Sequence, residues 1–229
     1  MKCIGALAAL LILGACNGSF DDRVREQVHR SIETGAAPVV RVDNAAGSVT
    51  IRAQARNGVS VDATKYGSDL QEVRNVAVTV RATGEGIAIA TSYGDGMHGG
   101  GVRYRIVVPA GASVQVSNLA GAVDVTGVRG NIDVATQAGE ITVDAGRVAG
   151  DRSISLRATT GAVKLTVARQ SSARVEAYST VGDFSTDVPG VSQQRQNIVG
   201  ARGSGTIGSG SGRISLNTTT GAIVLFGRP

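Results

Sequence analysis

The side chains able to carry acid–base or metal chemistry are few and widely spaced in this chain. His98 lies with Asp95 in the glycine-rich segment GDGMHGGG, where a metal ion could bind, although a solvated loop histidine is the simpler interpretation. Asp124, Asp133 and Asp144 could form an outward acidic row that binds calcium. The tandem Gly-Gly-x-Gly-x-Asp repeats of calcium-binding rolls are missing, as are a Gly-x-Ser-x-Gly elbow, a Walker loop and a His-Glu-x-x-His motif. The sequence therefore predicts no catalytic residue, no cofactor and no metal ion.

Cys16 is the residue whose surroundings indicate the most specific chemistry. Lys2 gives a positive start, and the apolar run Ile4–Leu13 is too short to cross a bilayer as a helix. The segment Leu13-Gly14-Ala15-Cys16 then resembles the bacterial lipobox, in which the cysteine is diacylated through a thioether and becomes the new N-terminus. The alternative is an ordinary signal peptide that happens to contain a cysteine.

This interpretation divides the chain into three parts and predicts where the protein is located in the cell. Residues 1–15 are predicted to be a lipoprotein signal peptide, 16–23 a lipidated tether and 24–229 one β-strand-repeat domain. Two or three acyl chains anchor a protein stably, whereas one is marginal. In the Gram-negative lipoproteins that this segment resembles, an aspartate after the cysteine favours retention in the inner membrane. Asn17 stands at that position, so the resemblance implies the outer membrane facing the periplasm, with surface exposure left open.

Composition restricts the fold class and the partners. The chain has 32 glycines, 4 prolines, no tryptophan and 3% aromatic residues, with Val, Ile and Thr alternating along most of its length. This pattern predicts an all-β protein. The net charge is only +5 and no long basic cluster occurs, which argues against nucleic acid as a partner. Because Cys16 would carry lipid and Cys3 would be removed, we expect no disulfide.

A repeated segment supplies the architecture. The segment IDVATQAGEITV, residues 132–143, has two alternating apolar pairs separated by four residues and a glycine, and similar segments recur with spacings near 20 residues. The predicted repeat-turn glycines are Gly47, Gly121, Gly139, Gly161, Gly182 and Gly221. A weaker copy begins at Ile198 with Gly205. Short stacked strands at this period indicate a parallel β-solenoid, and hairpins of an antiparallel sandwich are the alternative.

The segments before the main repeats have a different sequence pattern. Ser68–Val73 could form one helical turn with Ser68 as its cap, and strands are predicted around Val59–Val61, Val76–Val80, Ile87–Ile89 and Val102–Val108. We expect this sheet-rich part to cover one open end of the stack. Residues 20–38, which include His29 as a predicted surface residue, suit a helix and a strand equally well.

Residues 104–143, YRIVVPAGASVQVSNLAGAVDVTGVRGNIDVATQAGEITV, resemble the bacterial family usually called putative adhesin, a β-strand-repeat domain of unknown function. The resemblance rests on Val108-Pro109-Ala110-Gly111 and on the Ser/Thr-x-x-Gly-x-Val-x-Val units that follow it. It implies a right-handed parallel β-solenoid, often secreted or lipid-anchored, and a strand at residues 24–34. No catalytic residues are established for that family, so it implies none here.

Three functions are compatible with these features. The first is a non-catalytic, lipid-anchored envelope protein that presents a solenoid surface for adhesion or interaction, with an unknown envelope protein or polysaccharide as partner. The second is a polysaccharide-active solenoid enzyme that uses Asp and Arg side chains on one face. The third, a partner in envelope stress or regulation, rests on the family resemblance alone.

Overall fold

The computed structural model describes residues 24–94, 99–196 and 200–229, which form nineteen strands and one short helix. The signal peptide, Cys16 and the tether, together with Asp95 and His98, lie outside these residues. The strands are β1 Val24–Ile32, β2 Val39–Ala46, β3 Val49–Gln54, β4 Val59–Gly67, β5 Val76–Thr83, β6 Gly86–Tyr93, β7 Gly101–Pro109, β8 Ser113–Ala120, β9 Val123–Thr126, β10 Ile132–Ala138, β11 Ile141–Gly146, β12 Ser153–Thr160, β13 Val163–Ala168, β14 Ala173–Val181, β15 Phe184–Thr186, β16 Val191–Gln196, β17 Gly200–Ile207, β18 Gly212–Thr220 and β19 Ile223–Arg228, and the helix is α1 Leu70–Asn75.

Each copy of the repeat forms one layer of a two-sheet stack. In the layer of β10 and β11, Ile132, Val134, Ile141 and Val143 are buried between the sheets, while Asp133 points outward. β10 pairs in parallel with β8 on one side and β12 on the other, so that Ile132 lies beside Val114 and Ile154 in equivalent layers. A layer's apolar side chains are therefore sealed by its neighbours, and the predicted parallel β-solenoid is confirmed.

The order of layers in the stack differs from their order along the chain. The first sheet has the strand order β1-β4-β7-β3-β9-β11-β13-β19-β15, and the second has β16-β17-β14-β18-β12-β10-β8-β2-β6-β5. The first copy, β2–β3, lies between β6–β7 and β8–β9. The last copy, β18–β19, lies between β12–β13 and β14–β15. Both terminal copies are thus inserted inside the stack.

Antiparallel strands complete the end of the stack that lies nearest to β1. Here β4 pairs with β1 and β7, and β5 pairs with β6, in line with the sheet-rich end part predicted from the sequence. The predicted cap of the short helix is wrong by one residue: Asp69, not Ser68, accepts a 2.9 Å bond from the Glu72 amide, while the Ser68 amide bonds back to the Glu72 carboxylate. Shifting the cap to Asp69 places Glu72 at the position that a capping box requires.

Ile198, where the weak copy is predicted to begin, lies outside the described residues, and the rest of that copy is not a layer. Among the described residues, β17 runs antiparallel to β14 and β16 runs antiparallel to β17, so this segment is a hairpin that covers β14 in the second sheet. Gly205 lies inside β17 rather than at a repeat turn. Its neighbour Gly203 rests against the ring of buried Phe184, where any side chain would collide. The glycines of β17 allow close packing and do not form repeat turns. Their spacing nevertheless matches the repeat pattern, which is why the sequence suggests a copy here.

Arg152 ties together the loops that return the chain from one layer to the next. Its guanidinium donates bonds of 2.6–2.9 Å to the carbonyl oxygens of Gly130, Ala145, Arg147 and Val128, and its side chain is buried. Burial lowers the pKa of Arg152 from its ordinary value. One side chain therefore satisfies three loop carbonyls and the Ala145 carbonyl near the end of β11.

No helix in the described ranges is long and apolar enough to span a membrane.

Candidate binding groove

A groove of about 770 Å³ crosses the outer face of the second sheet. Residues from seven consecutive strands, in the order β6-β2-β8-β10-β12-β18-β14, line it. Since neighbouring strands lie about 4.8 Å apart, six such spacings make it roughly 29 Å long. It runs across the strands, parallel to the axis of the stack.

The lining consists mainly of small polar side chains arranged in columns. Strand register places one residue of each layer beside its equivalent in the next, in the outward column Asp43, Ser117, Ala135, Arg157, Asn217 and Tyr178. Two residues further along the strands is a second outward column, Ala45, Leu119, Gln137, Thr159, Thr219 and Thr180. Hydroxyl, amide and methyl groups thus repeat along the groove at the spacing of the layers.

The groove carries little net charge. Among the described residues that line it, Asp43 is the only carboxylate and Arg157 the only cation. Arg157 donates a 2.8 Å bond to Asp133 in the next layer, which offsets part of its charge. Three strand spacings separate Asp43 in β2 from Arg157 in β12, roughly 14 Å at about 4.8 Å each. The surface is therefore suited to an uncharged ligand.

Two larger side chains provide apolar contact area. Tyr178 is 44% exposed and Leu119 is 47% exposed, although both belong to the well-packed second sheet. A smaller hollow of about 170 Å³, lined in part by Glu176 and Arg202, adjoins the groove at Tyr178 and Asn217. Tyr178 thus lines both the groove and the smaller hollow, where its ring is exposed for contact with a ligand.

A buried polar ladder lies directly below the groove. Its members face inward three residues before each turn glycine: Asn44, Asn118, Thr136, Thr218 and Ser179, with Ala158 as the apolar exception. Asn118 donates to the Gly121 carbonyl at 2.7 Å and accepts from Asn44 at 3.0 Å. The Thr136 hydroxyl has no hydrogen-bond partner among the described residues. These bonds fix the turn carbonyls and so hold the floor of the groove rigid.

The ladder continues to a buried tyrosine at one end of the groove. The Thr91 hydroxyl is 2.9 Å from the Asn44 side-chain oxygen and 2.7 Å from the phenolic oxygen of Tyr104. Burial raises the pKa of Tyr104 to about 12, although the bond from Thr91 acts in the opposite direction. Tyr104 therefore stays protonated near neutral pH, and this end of the groove is held by neutral groups.

The six predicted turn glycines lie side by side beyond the ladder. Gly121, Gly139 and Gly161 have φ values of +125°, +151° and +141°, in the region that L side chains rarely adopt. Each amide bonds to the neighbouring layer, as from Gly139 to the Thr160 carbonyl at 2.9 Å. A methyl group on any of these glycines would overlap a backbone carbonyl of an adjacent coil, and the same holds for Gly47, Gly182 and Gly221.

The acidic row suggested by the sequence is not formed. Asp124 and Asp144 lie on the first sheet, in β9 and β11, whereas Asp133 lies on the second, in β10. Asp144 pairs instead with Arg228 at 2.6 Å. His29 is an exposed surface residue, 2.6 Å from Asp62. No cluster of three or more His, Cys, Asp or Glu side chains suitable for a metal ion occurs in the part of the chain that is described.

The groove was missed at the sequence level, although one signal for it was present. A polar residue stands three positions before five of the six turn glycines, where the alternation calls for an inward, apolar residue. That regular exception marks the ladder, and the residues on either side of it are the two groove columns.

The fold is similar to those of solved bacterial proteins. The crystal structure of a "putative cell adhesion protein" from Clostridium sporogenes has a TM-score of 0.68 at 10% identity, covering 89% of this chain and 100% of that one. A "putative adhesin" from Bacteroides fragilis has a TM-score of 0.31 at 12% identity, covering 88% and 97%. At such identities the first shows a common fold alone. The curated proteins contain no match.

The family profile described as Toastrack DUF4097 matches residues 110–225, about half of the chain. That range extends from the start of the regular layers to the last strand, and includes all the groove columns from Ser117 onward. The resemblance to the bacterial putative adhesins is confirmed, and the chain belongs to the Toastrack DUF4097 family.

Proposed function

We propose that this chain is a lipid-anchored protein of the bacterial cell envelope that binds an extended, uncharged polysaccharide along the groove of its second sheet. The observation that carries the proposal is the lining from Thr91 to Tyr178, which seven consecutive strands contribute and in which six of them place their outward residues in register. An open groove roughly 29 Å long, at about 4.8 Å per strand, suits several units of a linear polymer better than one small molecule.

The direction of the groove disfavours a peptide bound as an added strand. Strand addition requires an unpaired sheet edge, with the peptide parallel or antiparallel to the strands. A ligand in this groove lies across strands that are already paired on both sides, as β10 is with β8 and β12. Recognition must therefore come from side chains.

The chemistry of those side chains favours a sugar chain. Asn217, Gln137 and Thr159 offer neutral donors and acceptors for hydroxyl groups, and the exposed ring of Tyr178 offers a flat apolar surface beside them. A polyanion would need several cations, but Arg157 is the one cation among the described residues of the lining and already bonds Asp133. A neutral polysaccharide has hydroxyl groups for these donors and acceptors, and it needs no cluster of cations.

The same lining favours binding over cleavage. Glycoside hydrolysis generally uses two carboxyl groups about 5–9.5 Å apart on either side of the scissile bond. Asp43 is the single carboxylate among the described groove residues, and Asp133 is held by Arg157. Adhesion through an envelope sugar is one use of such binding, and the solved relative from Clostridium sporogenes carries the words cell adhesion in its name.

The groove is tested by measuring affinity for a panel of neutral and acidic polysaccharides with the whole chain. We expect Tyr178→Ala to weaken binding of the best neutral chain at least about tenfold, as is typical when an aromatic anchor that the ligand covers is truncated. The matched control is Phe226→Ala, because Phe226 is 49% exposed on the first sheet. Equal losses for both variants, or binding of none of the neutral chains, would refute the proposal.

The anchor is tested separately through Cys16. The order of basic start, apolar run, small residues and cysteine supports acylation of Cys16. Cys16→Ser should abolish incorporation of labelled fatty acid and release the chain from membranes. The control is Cys3→Ser, which should change neither. Undiminished labelling of Cys16→Ser would exclude this anchor, and the proposal of a binding groove would be unaffected.

A further inference from the structure

β1 forms an open edge of the first sheet. It is nine residues long, pairs only with β4 within the described residues and shows neither a register shift nor a proline. Long, regular edges of this kind are templates for another strand unless something blocks them. By contrast, the opposite edge of the same sheet is β15, which has only three residues.

The inward face of β1 is only partly covered. Val24, Val28 and Ile32 face inward but remain partly exposed, whereas the inward residues Val61 and Ala63 of neighbouring β4 are fully buried. The first sheet thus ends with half-covered apolar side chains at the strand that has the free edge. One further strand would cover them.

In β1, VREQVHRSI, residues at equal distances before and after Val28 mostly have side chains that suit each other as partners. Antiparallel pairing of two copies centred on Val28 sets Val24 opposite Ile32 and Val28 opposite its own equivalent. It also sets Glu26 opposite Arg30. On the outward face, the remaining pairs are Arg25 with Ser31 and Gln27 with His29. Apolar residues then meet apolar residues and the inward carboxylate meets a cation.

Neighbouring registers lose this match. A shift by two residues in one direction places Glu26 opposite Val28 and Arg25 opposite His29. The same shift in the other direction places Glu26 opposite Ile32 and Val28 opposite Arg30. Odd shifts exchange the inward and outward faces. The Val28-centred register alone pairs charge with opposite charge and apolar with apolar side chains on the inward face.

From this complementarity we infer that two copies of the chain associate through β1, antiparallel about a two-fold axis at Val28. The two first sheets then form one continuous sheet. Glu26, which already bonds Lys65 at 2.9 Å, gains the partner's Arg30 as a second cation. The interface is isologous, as expected of a symmetric dimer, and it leaves the groove on the second sheet open.

A single cysteine at the axis tests the pairing in the whole chain. Opposed residues of antiparallel strands have Cα atoms about 4.5–5.5 Å apart, within the range that a disulfide spans. A mild oxidant should therefore convert most of a Val28→Cys variant to a covalent dimer. In Ser31→Cys the two cysteines would be roughly 20 Å apart at 3.4 Å per residue, so this control should form no more dimer than the parent chain.

Charge reversal tests the register independently. Arg30→Glu places carboxylates opposite Glu26 twice in each dimer, and we expect the dimer dissociation constant, measured by sedimentation, to rise at least about tenfold. The double variant Glu26→Arg with Arg30→Glu should recover most of that affinity. A parent chain that is monomeric at micromolar concentration, or a Val28→Cys chain that stays monomeric because residues 1–23 or another group cover the edge, would overturn the inference.

Discussion

A chain that ends at Ser211 is expected to lose its cooperative fold, because the layer of β18 and β19 lies in the middle of the stack. Removing this layer separates β12 and β13 from β14 and β15, and the strand edges that faced β18 and β19 lose their hydrogen-bond partners. It also removes four side chains that are 0% exposed, Ile214, Leu216, Ile223 and Leu225. At about 1.5–3 kcal/mol each, their burial amounts to roughly 6–12 kcal/mol, comparable to the whole stability of a typical domain. Circular dichroism during urea titration measures the loss.

Adding the missing layer as a peptide is the control for this result. A peptide of residues 212–229 should restore the cooperative transition of the shortened chain, whereas the same peptide with Ile214→Asp and Ile223→Asp should not. An unchanged urea midpoint for the shortened chain would show that β18 and β19 are not an internal layer.

Gly139→Val is expected to destabilise the chain by about 3–5 kcal/mol, the largest effect among the single substitutions considered. Part of this is the strain of a β-branched residue at a φ of +151°. The rest comes from overlap with the Gly121 carbonyl in the next layer, which accepts a 2.7 Å bond from the Asn118 side chain and is held in place by it. The free energy of unfolding in urea is the measurement.

Gly150→Val is the matched control for Gly139→Val. Gly150 also has a positive φ, +69°, but no atom lies within 4 Å of the position that a Cβ would occupy. This variant should therefore carry only the strain, about 1–2 kcal/mol. Equal losses at the two positions would mean that close stacking of the glycines contributes nothing.

The layers themselves could be predicted from the sequence because their physical cause is local. Alternation in a segment such as IDVATQAGEITV fixes which side chains face inward, and the glycine fixes where the strand pair turns. The order of the layers could not be predicted in this way. Ile214 fits beside Ile154 as well as Ile132 does, so equivalent copies do not specify their neighbours.

The groove required information that no single copy contains. Its columns exist only once register has placed residues such as Ser117, Ala135 and Arg157 beside one another. The acidic row failed for a related reason. Asp133 precedes the turn glycine of its copy, whereas Asp124 and Asp144 follow theirs, and the two halves of a copy belong to different sheets. Position relative to the glycine, rather than spacing along the chain, decides which residues share a face.

The insertion of both terminal copies also has a consequence for folding. Layers next to each other in space, such as β12 and β18, are far apart in sequence, and their pairing requires the closure of a long loop. The stack therefore cannot assemble layer by layer from one end of the chain to the other. Folding should be slow compared with a solenoid of the same size that has sequential layers.

The most direct test of the proposed groove is a crystal structure of the whole chain with the neutral polysaccharide fragment that binds most tightly. We predict a sugar chain that lies across the strands of the second sheet, with one ring against Tyr178 and hydroxyl groups bonded to Asn217 and Thr159. A fragment bound on the first sheet, at the β1 edge or parallel to the strands would contradict the proposed groove.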